Sequence, residues 1–261
     1  MATCLSTMTS LETLSLGFNY FQYPDPSRRP FSPIRSVLPT LAIFRFNGKN
    51  KYLEELVARI DTPRLSCLST RIFALGDIDF DTPELNQFIS RMPILAAYDE
   101  AHFFFYGLGD RVRLVQSHPE PSDPRVVEIE IGNLTFSIMV QICTLLLRRL
   151  LLTTENLYIG GNPYSFHHRN NHNNTGWLDL LLPFTAVKNL YLSKLFSTRI
   201  ALVLQELTGE RATEVLPALQ NVLLEGFQPS EPVEEGIAQF ISARQLTNHP
   251  VSISVWDRVP E

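Results

Sequence analysis

Five copies of one short signal, a proline, any residue and then an aliphatic, punctuate this chain. They are Pro39-Thr40-Leu41, Pro63-Arg64-Leu65, Pro93-Ile94-Leu95, Pro124-Arg125-Val126 and Pro217-Ala218-Leu219. Three residues beyond each aliphatic stands another apolar or aromatic side chain: Phe44, Leu68, Tyr98, Ile129 and Val222. Proline lacks an amide hydrogen and disfavours helical geometry in the residue ahead of it. Each copy therefore ends a helix and delivers an extended chain into a strand. Nine strand centres follow, at Leu14, Phe44, Leu68, Tyr98, Ile129, Leu157, Leu190, Val222 and Ile253, spaced 24 to 33 residues apart. A unit this short cannot bury its own apolar side, so its neighbours must do it and the units must stack.

The segments between the centres read as returns, most of them helical. Leu53, Leu56, Val57 and Ile60 fall on one face of a helix over 50–60. Asp81-Thr82-Pro83-Glu84 is a helix start, with a capping side chain, proline in the first turn and an acid near the positive end. Leu85, Phe88, Ile89 and Met92 form the apolar face behind it. Further helices are expected over 135–150, 175–182, 198–208 and 233–246, the last with Ile237, Phe240 and Ile241 on one side. Two stretches break the pattern. Residues 22–36, with Pro24, Pro26, Pro30 and Pro33, read as a loop in place of a helix. Residues 111–125 read as a hairpin, with 112–116 pairing beside a strand over 126–131.

Leu11-x-x-Leu14-x-Leu16-x-x-Asn19-x-Phe21 fits the leucine-rich-repeat template, and Thr154-x-x-Leu157-x-Ile159-x-x-Asn162-x-Tyr164 fits it in part. Elsewhere the asparagine slot holds Phe73, Phe103, Leu134, Leu195 or Phe227, so most corners are filled by apolar side chains. The expected fold is α/β. It is a single irregular leucine-rich-repeat solenoid over 1–261, a curved horseshoe with a parallel concave sheet of about nine strands and with helices and loops on the convex side.

Composition narrows the function. A formal net charge of −5 and a sequence pI near 5.7 leave no basic stripe for general nucleic-acid binding. Cys4, Cys67 and Cys143 are an odd, scattered set outside any C-x-x-C motif, which suits a reducing compartment and an intracellular protein of the cytoplasm or nucleus. The start of the chain lacks the basic and apolar regions of a signal peptide. The most apolar stretch, Ile138 to Leu152, is interrupted by Gln141, Arg148 and Arg149 and is too short to span a bilayer. It reads as a helix buried against a sheet, so no membrane partner is expected.

Alternation along each strand turns the residue after each centre away from the core. On the concave side this gives Ser15, Arg45, Ser69, Asp99, Glu130, Tyr158, Tyr191, Leu223 and Ser254. Tyr158 and Tyr191 fall on neighbouring strands, flanked by Asn156 and Asn189. An aromatic pair on an open sheet suits a binding hot spot, and it equally suits a cross-strand contact that only stabilises the sheet. The candidate partner-binding residues are Arg45, Asp99, Glu130, Asn156, Tyr158, Asn189 and Tyr191. Asp99, Glu100, Glu128 and Glu130 make an acidic middle section, which reads either as a solvated face or as a selector of a basic partner. The run His167-His168-Arg169-Asn170-Asn171-His172-Asn173-Asn174 holds imidazoles but no carboxylate or thiol, and reads as a surface loop. Gly160-Gly161-Asn162 lacks the pattern of a phosphate loop and reads as a turn at a strand end. Asp99 and His102 lie close in sequence with no nucleophile beside them. No catalytic, cofactor-binding or metal residue is assigned, and the chain is not expected to be an enzyme.

Three segments, FDTPELNQFISRMP (80–93), WLDLLLPFTAVKNLYLS (177–193) and EVLPALQNVLLEG (214–226), resemble the leucine-rich-repeat portion of mushroom-type fungal F-box-like proteins. In that family a helical F-box that docks on a Skp1-type adaptor of a cullin ubiquitin ligase usually precedes the repeats. No such module is recognised in this sequence, whose first repeat starts within ten residues of Met1. The chain then corresponds to the C-terminal portion of a longer protein or to a family member without the box. The resemblance implies a substrate-binding repeat module that holds a protein client on its concave face, with the adaptor as partner only where an F-box lies upstream. A free-standing repeat scaffold without a ligase role and a cryptic α/β enzyme are the competing readings.

Overall fold

Alternation of apolar and polar side chains marks out the strands of this chain, and an apolar period of three to four marks out the helices between them. The computed structural model describes residues 7–18, 35–73, 82–92, 98–106, 109–117, 125–132, 136–162, 174–226 and 231–256. The strands are β1 (Thr13–Gly17), β2 (Ser36–Val37), β3 (Ile43–Gly48), β4 (Ile60–Asp61), β5 (Cys67–Phe73), β6 (Glu100–Phe105), β7 (Gly109–Val115), β8 (Val126–Gly132), β9 (Asn156–Gly161), β10 (Asn189–Leu192), β11 (Asn221–Glu225) and β12 (Ser252–Trp256). The helices are α1 (Asn50–Val57), α2 (Pro83–Ser90), α3 (Phe136–Gln141), α4 (Arg148–Leu151), α5 (Asn174–Leu181), α6 (Lys194–Gln205) and α7 (Glu231–Leu246).

Ten strands form one open, mostly parallel sheet in the order β1-β3-β5-β8-β7-β6-β9-β10-β11-β12, and β2 pairs with β4 in a separate two-stranded sheet. The fold is therefore α/β. One apolar row crosses the whole large sheet in register: Leu14, Phe44, Leu68, Val127, Leu114, Ala101, Leu157, Leu190, Val222 and Ile253. Seven of the nine expected centres stand in that row. Ile129 lies two residues further along β8, on the same side as Val127, and pairs with Thr70. Tyr98 is displaced more. It is fully buried ahead of β6, where its carbonyl accepts the Thr153 hydroxyl at 3.1 Å, and Ala101 takes the place in the row.

The larger departure is β7. Only three residues separate β6 from β7, too few for a crossover, so β7 must return antiparallel. It pairs antiparallel with β6 on one side and with β8 on the other. The expected hairpin of 112–116 with 126–131 is present, extended to 109–115 with 126–132. Because β7 and β8 fill two places, β6 is not the neighbour of β5. The expected parallel sheet of about nine strands is thus a ten-stranded sheet, and the expected hairpin is built into it as an antiparallel inset.

The strands' apolar rows and the buried faces of the helices join one core. Helices follow one another in a row, α1 against α2, α3 against α5, α5 against α6 and α6 against α7. Leu53, Leu56 and Val57 of α1, all four expected residues of the α2 face, and Ile237 and Phe240 of α7 are buried, whereas Ile60 is buried from β4. The helix expected over 135–150 is broken by a π turn, Ile142–Leu146, between α3 and α4. The α2 start is capped differently from expectation. Thr82 makes no side-chain cap bond. The amides of Glu84 and Leu85 instead donate to the Glu54 carboxylate of α1, both at 2.9 Å, so one unit caps the next.

Two close approaches hold the last units. A Cβ on Gly161 would fall 2.3 Å from the Phe105 carbonyl, so β9 meets β6 there as bare backbone. Gly160 and Gly161 thus end a strand and do not form the turn expected of them. Arg244 of α7 is buried and donates to the carbonyls of Ala212, Pro217, Leu219 and His249 at 2.9–3.2 Å, tying α7 to the segments before β11 and β12. The proline-rich stretch expected to loop over 22–36, apart from Arg35 and Ser36, the segments 93–97 and 118–124, and Asp81 lie outside the described residues.

Leu190 and Leu224 are at most 1% exposed. Replacing either with alanine should lower the unfolding free energy by about 2–5 kcal/mol, because the removed atoms leave a cavity between strand and helix. Urea titration followed by circular dichroism measures this directly.

Candidate functional site

The helices cover one face of the large sheet. On the other face most alternate side chains are half-buried or exposed, with Phe104 of β6 buried among them. Register sets out its middle row: Ser15, Arg45, Ser69, Glu128, Arg113, His102, Tyr158, Tyr191, Leu223 and Ser254. The β9–β12 half of this face is aromatic and, apart from Glu225 at its far corner, uncharged. The β3–β6 half is charged.

In the aromatic half, neighbouring strands set the rings of His102, Tyr158 and Tyr191 one against the next. Centroids lie 4.3 Å apart with planes 5° off parallel for the first pair, and 4.1 Å and 12° for the second. Trp256 closes the run edge-on, 5.4 Å from Tyr191 and 6.0 Å from Tyr158. Phe104 and Tyr106 continue it past His102, the first 5.9 Å from the imidazole and the second 5.8 Å from Phe104. Burial, then the Glu100 charge and the Tyr191 phenol beside it, push the Tyr158 phenol well above its ordinary pKa, so it stays neutral.

A row of amides runs beside the rings. The Asn189 amide nitrogen donates to Asn156 at 2.8 Å, Asn221 donates to Asn189 at 2.7 Å, and the Ser252 hydroxyl donates to Asn221 at 2.6 Å. Each strand begins this ladder with the same pattern, Asn156-Leu157-Tyr158, Asn189-Leu190-Tyr191 and Asn221-Val222-Leu223. Asn221 was legible from that recurrence, though only Asn156 and Asn189 were singled out. Lys188 and Glu155 form an ion pair at 2.7 Å just ahead of the ladder.

The charged half is a lattice made by the antiparallel inset. Glu130 accepts the Arg71 guanidinium at 2.5 and 2.8 Å and lies 3.7 Å from Arg111. Glu128 lies 3.8 Å from Arg111 and 3.9 Å from Arg113. Glu100 bonds the His102 imidazole at 3.1 Å, and that bond holds the Glu100 carboxyl below its ordinary pKa. The acidic middle section expected from sequence is therefore not an open acidic surface, because β7 interleaves Arg111 and Arg113 among its carboxylates.

Asp99 is not on the open face. It precedes β6, and its carboxylate accepts the Ser117 amide at 2.7 Å and hydroxyl at 2.5 Å, while His102 holds the outward position. Tyr158, Tyr191, Asn156 and Asn189 adjoin one another, whereas Arg45 and Glu130 stand across the sheet in the charged half. Ser117 brings a hydroxyl beside Asp99 that sequence spacing did not indicate. It forms no triad with His102, whose Nε2 faces Glu100. His102, Arg111 and Arg113 were also missed, because the inset breaks the spacing from which outward positions follow, and so was Arg71, which stands two residues beyond Ser69 on the same side of β5. Burial raises the Cys67 and Cys143 thiols, which keeps both protonated. Among the described residues no group of three or more His, Cys, Asp or Glu side chains is placed to hold a metal. The His- and Asn-rich run over 167–174 lies outside the described residues, apart from Asn174. Among the described residues no helix is long and apolar enough to cross a membrane.

Tyr158→Ala and Tyr191→Ala should each cost only about 1–2 kcal/mol, the worth of a cross-strand aromatic contact, and leave a cooperative unfolding transition. A second expectation concerns acid. The Glu100 carboxyl titrates lower in the folded chain than in the unfolded one, where its pKa is about 4.3. Its contribution to stability is whole above that value and is lost as pH falls through the folded value. Glu100→Gln should flatten the loss of urea stability between neutral and acid pH.

Comparison of the chain with protein-family models, curated proteins and solved structures gives no match.

Proposed function

We propose that the chain is a protein-recognition module, a leucine-rich-repeat solenoid whose open sheet face is the concave side of a horseshoe and holds a protein client without covalent chemistry. The observation that carries this reading is the aromatic run His102, Tyr158, Tyr191 and Trp256, half-buried on an open sheet and flanked by a satisfied amide ladder. Rigid aromatic side chains offer large contact area at low entropic cost, and a partner that covers them gains more than an equal area of flexible surface would give. The ladder and the ion lattice hold the rings in place before a partner arrives, which lowers the ordering cost of binding.

The finer assignment is to the substrate-binding repeats of an F-box-like adaptor of a cullin ubiquitin ligase, acting inside the cell, in cytoplasm or nucleus. It is supported by the resemblance of segments 80–93, 177–193 and 214–226. Free thiols at Cys67 and Cys143 suit that compartment.

The test compares three immobilised forms of the chain: the unaltered protein, a Tyr158→Ala and Tyr191→Ala double variant, and Leu202→Ala, which alters an exposed side chain on the helix side. The expected client is retained by the unaltered chain and by Leu202→Ala and is lost from the double variant. Identical captured sets from all three folded proteins would refute the reading. For the ligase link, an F-box fused ahead of residue 1 should confer binding to a Skp1-type adaptor, and the chain alone should show none.

A further inference from the structure

We infer that the client segment held by this face is acidic, a stretch of polypeptide whose aspartate and glutamate side chains meet Arg45, Arg71, Arg111 and Arg113 while an adjoining apolar or aromatic residue rests on the ring run. This rests on the face being a recognition surface and adds the chemistry of what it recognises. The sequence suggests the opposite sign, since four carboxylates cluster at 99–100 and 128–130. Tertiary structure reverses it in two ways.

First, the carboxylates are consumed. Both Asp99 oxygens are taken by Ser117, Glu100 is taken by His102, and Glu130 by Arg71. Second, the guanidinium groups form the outer layer. The Glu130 and Glu128 side chains are 16% and 23% exposed, while Arg111, Arg113 and Arg71 are 31%, 34% and 54% exposed. Arg45 is exposed and makes no ion pair among the described residues. The Arg111 guanidinium lies 3.7–3.8 Å from the glutamates, beyond hydrogen-bond length, and 5.6 Å from the centre of the Tyr106 ring, and it makes no side-chain hydrogen bond among the described residues. Its Nε is buried, so a carboxylate would meet the two outer nitrogens, which here make only these long ion contacts.

Across the three outward rows of this half, four arginines face three glutamates, with the cations on the solvent side. A positively charged client would meet this layer first and be repelled before it reached the carboxylates beneath. The adjoining half opposes an acidic client at one outward position only, Glu225. Asn156, Asn189, Asn221, Ser252 and Ser254 are neutral, and Glu225 stands at the far corner beside Trp256. The two halves meet at His102, so one extended segment crossing from β8 to β10 spans both. A nucleic acid would also be drawn to arginines, but the net charge of −5 works against a polyanion long enough to leave this patch.

The test selects a random-peptide display library on the unaltered chain and on the Tyr158→Ala and Tyr191→Ala double variant. Enriched peptides are then titrated against Arg45→Gln and Arg45→Glu, with circular dichroism to show that all forms fold. Peptides rich in Asp and Glu with an apolar or aromatic neighbour are expected. Their affinity should fall in Arg45→Gln, fall by about tenfold in Arg45→Glu, and weaken with added salt. Enriched peptides that are neutral or basic, or acidic peptides indifferent to Arg45→Glu, would overturn the acidic client. If such peptides are nevertheless lost from the tyrosine double variant, the recognition surface stands and only its charge preference falls. Peptides held equally by the double variant, or no enrichment at all, would remove both readings. Tighter binding of a single-stranded oligonucleotide than of the acidic peptides would also overturn it.

Discussion

In-register pairing of successive strands is the constraint on which the rest of this structure depends. Each unit supplies one strand with apolar side chains on one side and polar ones on the other. Left alone, its apolar side would face water. Parallel pairing places Leu157 beside Leu190, and Leu190 beside Val222, and each is then sealed from the far side by a helix. Each such side chain contributes about 1.5–3 kcal/mol when fully buried. A slip of one residue would turn every one of them outward, so the register is enforced along the whole row. The last strand shows what happens where the series ends. Ile253 and Val255 stand in the same rows, yet they remain 41% and 57% exposed, because β12 has a neighbour on one side only and α7 packs against α6.

The same pairing explains the open face. Once helices claim one side of the sheet, the alternate residues have no core to enter and must be stabilised by one another. In the β9–β12 half they do so by ring stacking and by a ladder of amides, both of which need identical residues at identical positions on adjacent strands. In the β5–β8 half they do so by charge. Direct cross-strand partners Arg71 and Glu130, Arg111 and Glu130, and Arg113 and Glu128 carry opposite signs. The two pairs between β7 and β8 favour the observed register, because a slip of two residues keeps only one arginine opposite a glutamate. The face is thus held in place for reasons internal to the sheet.

Much of the plan was legible because it is local. Proline ahead of an aliphatic stops a helix wherever it occurs, and seven of the nine strand centres fall in one row without any appeal to tertiary contacts. Helix faces such as Leu85, Phe88, Ile89 and Met92 follow from period alone. Tyr158 and Tyr191 were placed side by side because their units differ in length from the mean by little and no strand intervenes. Tyr98 and Asp99 were misplaced because the count was carried through a unit whose strand starts later, at Glu100.

The sequence alone determined that this protein is a series of strand-and-return units, which residues of most units face inward, and that two tyrosines and two asparagines share the outward side. Those properties depend on steric rules acting within about ten residues. Only the tertiary structure decided the order of the strands, since the short connection after β6 turns β7 back and lets β8 fill the place next to β5. It also decided the sign of the charged half. Whether a carboxylate is exposed or covered depends on which arginine a non-adjacent strand brings to it, and that information resides in the pairing of strands and in no single stretch of chain.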